Sequence, residues 1–162
     1  MNSDNSFPFS IRAAAPGDEG SIVALLRELA EYEKAPGFLL NEAAAFRDLL
    51  GPARVAQCAL LFAVDAPVGL AVWFAAYRSF GAARGFFVED IYVKPDCRGR
   101  GLGTALLAHL ARLARAENGF LEWRVLDWNA PAIAFYDGLG AKPLTQWHTY
   151  RLMGESLERL AA

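Results

Sequence analysis

The chain has 162 residues, 54% of them hydrophobic, with 16 Lys and Arg against 18 Asp and Glu for a net charge of −2. That length suits one domain with its own core, and a near-neutral balance with scattered cations gives no reason to expect a nucleic-acid partner. The longest apolar stretches, such as residues 66–76, fall well short of a membrane span, and two cysteines with two histidines make neither a disulfide framework nor a zinc site. No metal is therefore expected, and a reducing, cytoplasmic setting is the simplest. Residues 1–8 begin polar, with no basic start and no apolar segment behind them. They read as a short disordered arm rather than a signal peptide, ahead of a single domain over residues 9–162.

Phe9–Ala13 predicts a first strand. Pro16, Asp18 and Glu19 suit the first turn of a helix whose Ile22, Leu25, Leu26 and Leu29 share one face. Pro36-Gly37 ends it, and Asn41 caps a second helix reaching Leu50. Residues 56–64 and 68–77 flank the turn Asp65-Ala66-Pro67 as a hairpin, and Phe86–Val93 follows as a further strand. A long helix starts at Leu102 with Ala105, Leu106, Leu110 and Leu113 on its apolar face, and Asn118-Gly119 stops it. His109 lies on that face and reads as a core histidine. A strand over residues 120–126, a short helix over 129–137 and a last strand over 143–152 complete the chain. The pattern predicts an α/β fold: one mixed, mostly antiparallel sheet flanked by helices.

Three places carry chemistry. The run Arg98-Gly99-Arg100-Gly101-Leu102-Gly103, followed by Thr104, sits between a strand and a helix. Glycines there leave backbone N–H groups uncovered at the positive end of the helix dipole, a seat for a phosphate, with Lys94, Arg98 and Arg100 adding positive charge. No Gly-Lys-Ser/Thr follows, and Thr104 stands where a dinucleotide fingerprint has its third glycine, so neither of those motifs fits. A plain glycine-rich turn opening a helix is the alternative. Second, Glu89 and Asp90 interrupt an apolar strand. Side-chain alternation sends them to opposite faces, so at least one must be paired or lie in a wet cleft. Third, Asn129 caps a helix that carries Tyr136 two turns on, where a rim aromatic is the plainer reading.

In this order the three resemble the GNAT (Gcn5-related) N-acetyltransferases. The segments over residues 28–34, 88–93 and 125–129 look like the diamine (spermidine/spermine) N-acetyltransferases, closer to the branch that acetylates thialysine. The resemblance covers residues 9–160 and implies a sheet whose central strands splay to admit acetyl-CoA. It implies pantetheine paired along Ile91, Tyr92 and Val93, pyrophosphate on Arg98, Gly99, Arg100, Gly101, Leu102, Gly103 and Thr104, and Asn129 on the pantetheine arm. It gives Glu89 the role of base through a water, Tyr136 that of general acid beside the cofactor, and a backbone N–H near Ile91 that of polarising the thioester carbonyl. Asp90, with Glu89, would hold the amine, and Trp147 matches an aromatic near the substrate. Transfer is then direct to a small primary amine, a thialysine- or lysine-like amino acid or a short di- or polyamine, in a homodimer whose C-terminal regions exchange contacts.

One departure bears on the substrate. Arg78 stands where polyamine-specific members carry an acid. A cation there repels a second ammonium and suits an acceptor carboxylate, unless Arg78 is simply a solvated loop residue. Glu28 and Glu31 fall off the apolar face and read as solvated, though with Glu33 they offer compensating negative charge. The rival readings are a protein or peptide N-acetyltransferase, an antibiotic-modifying acetyltransferase and a non-catalytic acyl-CoA-binding regulatory module. Retention of both Glu89 and Tyr136 argues against the last.

Overall fold

The computed structural model describes residues 8–117 and 119–162. All but Pro8 of the arm expected over residues 1–8, and Asn118 of the expected helix stop, lie outside the described residues. The chain divides into two compact units, one ending at Arg124 and one running over Val125–Ala162.

The first unit is built on a five-stranded sheet in the order β1 (Phe9–Ala13), β2 (Gln57–Ala63), β3 (Ala66–Arg78), β4 (Ala83–Val93) and β5 (Leu121–Trp123). The first four strands pair antiparallel, and β4 with β5 is parallel, as the intervening helix α3 (Leu102–Ala116) requires. The sheet is therefore mixed and mostly antiparallel, with helices on both faces.

On one face the helix α1 (Glu19–Tyr32), the short α2 (Glu42–Ala45) and the turn after it cover Cys58, Leu60, Leu70, Val72 and Tyr92, with Ile22 and Leu25 fully buried. On the other, Leu102, Leu106 and Leu110 of α3 pack on Ala59, Leu61, Ala71, Trp73, Val88 and Val93. Alternating residues of β2 and β3 thus feed two separate cores. The start of α1 is fixed by Asp18, which takes Arg12 Nη1 and Nη2 at 2.7 and 2.9 Å and the Ala15 N–H at 2.8 Å. Its bonds to Arg12 hold the Asp18 carboxyl below the usual carboxylate range.

Several elements differ from expectation. Asn41 does cap α2, accepting the Ala44 N–H at 3.0 Å, but the α-helix ends at Ala45 and continues to Leu50 as a π-helical turn. On α3, Leu107 and Ala114 are buried while Leu113 is 37% exposed, so its buried face is rotated from the one expected. His109 is half-buried, and burial with nearby Arg112 lowers its proton affinity. Both cysteines are buried, and burial pushes the Cys58 thiol up to about 12.

In the second unit α4 (Ala130–Gly138) opens at Asn129 and Pro131, and the strand expected over residues 143–152 does not form. Those residues have no ladder partner among the described residues, and strand propensity without a paired neighbour makes no strand. The chain ends in a helix the sequence reading did not contain, α5 (Glu155–Ala161). Among the described residues no helix is long and apolar enough to cross a membrane.

Candidate active site

The β3–β4 ladder carries a bulge at Glu89: Trp73 faces Val88 and Val72 faces Asp90, leaving Glu89 without a partner across the ladder. The cause lies in the sequence. Phe86, Val88, Ile91 and Val93 all belong to the α3-side core, and they share a face only if one residue between Val88 and Ile91 is skipped. The expectation that Glu89 and Asp90 point to opposite faces is therefore corrected. Skipping Glu89 leaves it on the side of Phe87 and brings Asp90 to that same side, opposite Val72 of the α1-side core.

Asp90 is half-buried there, and burial pushes its carboxyl up to about 6, with the charges of Glu89 and Glu33 adding to the shift. Burial also raises Glu33, at the end of α1. Three carboxyl groups thus converge where a positive ligand would relieve their repulsion.

Beside them the sheet opens. Strands β4 and β5 pair at Phe86–Leu121, Phe87–Glu122 and Val88–Trp123, and no pair follows. From Glu89 to Val93 the β4 edge turned away from β3 has no strand partner among the described residues. Trp73, Val88 and Trp123 make a row across three strands at the base of this opening. The Trp73 ring nitrogen is buried without a hydrogen-bond partner.

At the far end of β4, the loop into α3 is shaped by two left-handed glycines, Gly99 at φ 73° and Gly101 at φ 79°. A Cβ added at either would meet nothing within 4 Å, so the space over the loop is open. Gly101 caps α3 without a side-chain bond, and the N–H groups of the first turn face that space. Arg98 is otherwise engaged. Its Nε donates to the Val93 carbonyl at 2.8 Å, and its guanidinium lies over the rings of Tyr32 and Tyr92 at 4.9 and 5.6 Å. Tyr92 Oη donates to Glu28 at 3.1 Å, and Lys94 pairs with the same carboxylate at 3.2 Å. Burial and the bond to Glu28 push the Tyr92 hydroxyl up to about 12. Glu28, expected to be merely solvated, is thus the hub that ties α1 to the end of β4.

Two arginines lie on the α1 side of the sheet beyond the helix cover. Arg78 pairs with Glu122 at 2.6 Å and lies 4.3 Å over Phe120, so its charge is already matched. Arg124 pairs with Glu89 at 3.3 Å and lies 5.1 Å over Phe87, which stacks on Phe74 at 5.3 Å. In the second unit, the buried Asn129 accepts the Ala132 N–H at 3.3 Å and fixes the start of α4. Tyr136 is half-buried on that helix, its ring 5.3 Å from that of Phe135, and Trp147 is 72% exposed.

The sequence profile of the Acetyltransferase (GNAT) family matches residues 22–141, which include the bulged strand, the glycine loop and α4. This chain belongs to the GNAT acetyltransferase family. The acetyltransferase is 37% identical to a thialysine N-epsilon-acetyltransferase of Bos taurus over 93% of this chain and 96% of that protein. It is 33% identical to one of Caenorhabditis elegans over 94% and 97%. Its fold is that of an integron cassette protein from the mobile metagenome of V. cholerae, with a TM-score of 0.80 at 22% identity over 94% of this chain and 97% of that one.

The residues of this acetyltransferase fit acetyl-CoA, the co-substrate of the family. The open space over Gly99 and Gly101 would accept a pyrophosphate, and the edge of β4 past Val88 would offer backbone groups to the amides of a pantetheine arm. Sequence reasoning missed Arg124, Glu122, the Phe74–Phe87 pair and the Tyr32–Arg98–Tyr92 stack, all set by cross-strand or helix–loop neighbours. Only the parity break within residues 86–93 left a readable signal, since it betrays the bulge.

Proposed function

We propose that this acetyltransferase moves acetyl from acetyl-CoA directly onto a small primary amine, with thialysine- or lysine-like amino acids and short diamines leading and spermidine behind. The observation that carries the reading is the convergence of Asp90, Glu89 and Glu33 beside the opening between β4 and β5. Such a spot holds an ammonium next to the place where the arm would end. The names of the nearly full-length relatives, thialysine N-epsilon-acetyltransferases, support it.

Acetyl-CoA supplies an acetyl group activated as a thioester. Asp90 holds the amine, which is mostly protonated at neutral pH. Glu89, lifted from the ladder by the bulge, takes the proton through a water and frees the nitrogen lone pair. A backbone N–H near Ile91 donates to the acetyl oxygen as negative charge develops there. Tyr136 delivers a proton to the departing sulfur. Gly99 to Thr104 seat the pyrophosphate, Asn129 takes the pantetheine arm, and Arg98 holds the loop to β4. Trp147 is an aromatic of the acceptor end. Residues 9–162 act as one acetyltransferase domain, a homodimer in the cytoplasm.

Release of free thiol from acetyl-CoA, measured against thialysine, lysine, ornithine, putrescine, spermidine and a short basic peptide, tests this. Turnover is expected on a small amine. Tyr136→Phe should lower it by about 10²–10⁴-fold while sparing CoA affinity. Turnover only on the peptide would replace the small-amine reading. Tight CoA binding without release on any amine would leave a regulatory module.

A further inference from the structure

Glu89 and Arg124 are the first residues past the last β4–β5 pair, one on each lip of the opening, and their side chains meet across it at 3.3 Å. This places a guanidinium beside a site otherwise built to hold a cation. A surface ion pair alone would not call for comment. Here the arginine is also fixed from below by the Phe87 ring, itself stacked on Phe74. One Nη is used on Glu89, and a guanidinium carries five N–H donors. Arg78, the other arginine on this face beyond the helix cover, is held at 2.6 Å by Glu122 and is the poorer candidate for a ligand.

From these contacts we infer that Arg124 is a specificity-determining residue that receives the carboxylate of an ω-amino acid whose reacting ammonium lies at Asp90 and Glu33. The inference rests on the small-amine reading above and names the acceptor class within it. The two poles are spaced for it. Asp90 is one strand position along β4 from Glu89, and the guanidinium one ion-pair contact across from it, so both poles lie within reach of one short acceptor. An extended lysine-like side chain, on the order of 6–8 Å from its terminal nitrogen to its carboxylate, reaches both. The aromatic pair beneath gives the methylene arm an apolar floor. A polyamine would instead bring a second ammonium toward the guanidinium, and like charges at short range repel.

The test compares acceptors that differ only in the carboxylate: lysine with cadaverine, and ornithine with putrescine. In the wild-type enzyme kcat/KM should favour each amino acid over its diamine. In Arg124→Leu and Arg124→Gln the preference should fall at least ten-fold, through KM of the amino acid, with Arg124→Lys in between. Calorimetric titration of lysine and cadaverine into the CoA-bound enzyme should show the same loss of discrimination without turnover. Freeing Glu89 would lower KM for the diamine and leave that of the amino acid, so a rise in the amino acid's own KM is the result that assigns the carboxylate to Arg124, and thermal melts identify variants that fail to fold. A preference unchanged in both variants, or a wild-type enzyme that favours the diamines, overturns the role of Arg124 and leaves the small-amine reading standing. Absence of turnover on all four and on thialysine and spermidine overturns both.

Discussion

At the scale of single residues, Asp90 has the environment with the plainest chemical consequence. Its folded-state proton affinity, at about 6, lies above the ordinary value of 3.8, so between these the native protein binds more protons than the unfolded chain. The stability Asp90 contributes is therefore full below about pH 4 and is lost as pH rises through 6. Asp90→Asn should raise the melting temperature at pH 8 and change it little at pH 4, with a difference on the order of 2 kcal/mol. Equal effects at the two pH values would mean that the carboxyl is not held as described. An ammonium bound beside it favours the ionised form, so KM for the amine should also fall as pH rises through 6. Gly101 is the complementary case on the cofactor side. Its φ of 79° is strained for any β-branched residue, and Gly101→Val puts methyl groups into the phosphate seat. CoA affinity should drop by ten-fold or more in a direct titration, and an unchanged affinity would remove the loop from the binding site.

Among the elements, β4 does most to make the site. Removing Glu89 should leave a regular ladder in which Phe86, Val88, Ile91 and Val93 still face α3, and Phe87, Asp90 and Tyr92 still face the other side. The deletion variant should therefore melt cooperatively and yet transfer no acetyl, which calorimetry and the thiol assay would show together. Loss of the cooperative melt would make the bulge a requirement of the fold. This strand also measures how far the sequence could be read. The position of β4, the glycine turn and α3 follow from period-2 and helical patterning that the cores enforce. So does the pairing of strands Gln57–Ala63 and Ala66–Arg78 as a hairpin. The direction of Asp90 does not, because strict alternation fails across eight residues whose apolar members already break it. The pairs Arg78–Glu122 and Arg124–Glu89 both depend on the alignment of β5 against β4, which is set by the crossover through α3 and leaves no local trace.

At the scale of the whole molecule, the segment over residues 143–152, where a last strand is expected but does not form, leaves large apolar and aromatic side chains uncovered. In the second unit Leu139, Leu144, Trp147, Tyr150, Leu152, Met153, Leu157 and Leu160 are all exposed, Tyr150 at 92%. A run of this kind is what the proposed homodimer would cover. Light scattering should give about twice the 17.7 kDa chain mass, and the double variant Tyr150→Glu, Met153→Glu should shift it to the monomer. A wild-type mass of one chain would dispose of the dimer. The buried cysteines have a practical consequence of another kind. With Cys58 5% and Cys97 9% exposed, neither sulfur is open to a thiol reagent while the chain is folded. Colour developed with such a reagent during turnover then reports coenzyme alone, free of a protein background. Two further equivalents per chain should appear only on denaturation, so the same cuvette that counts catalytic events also counts intact molecules.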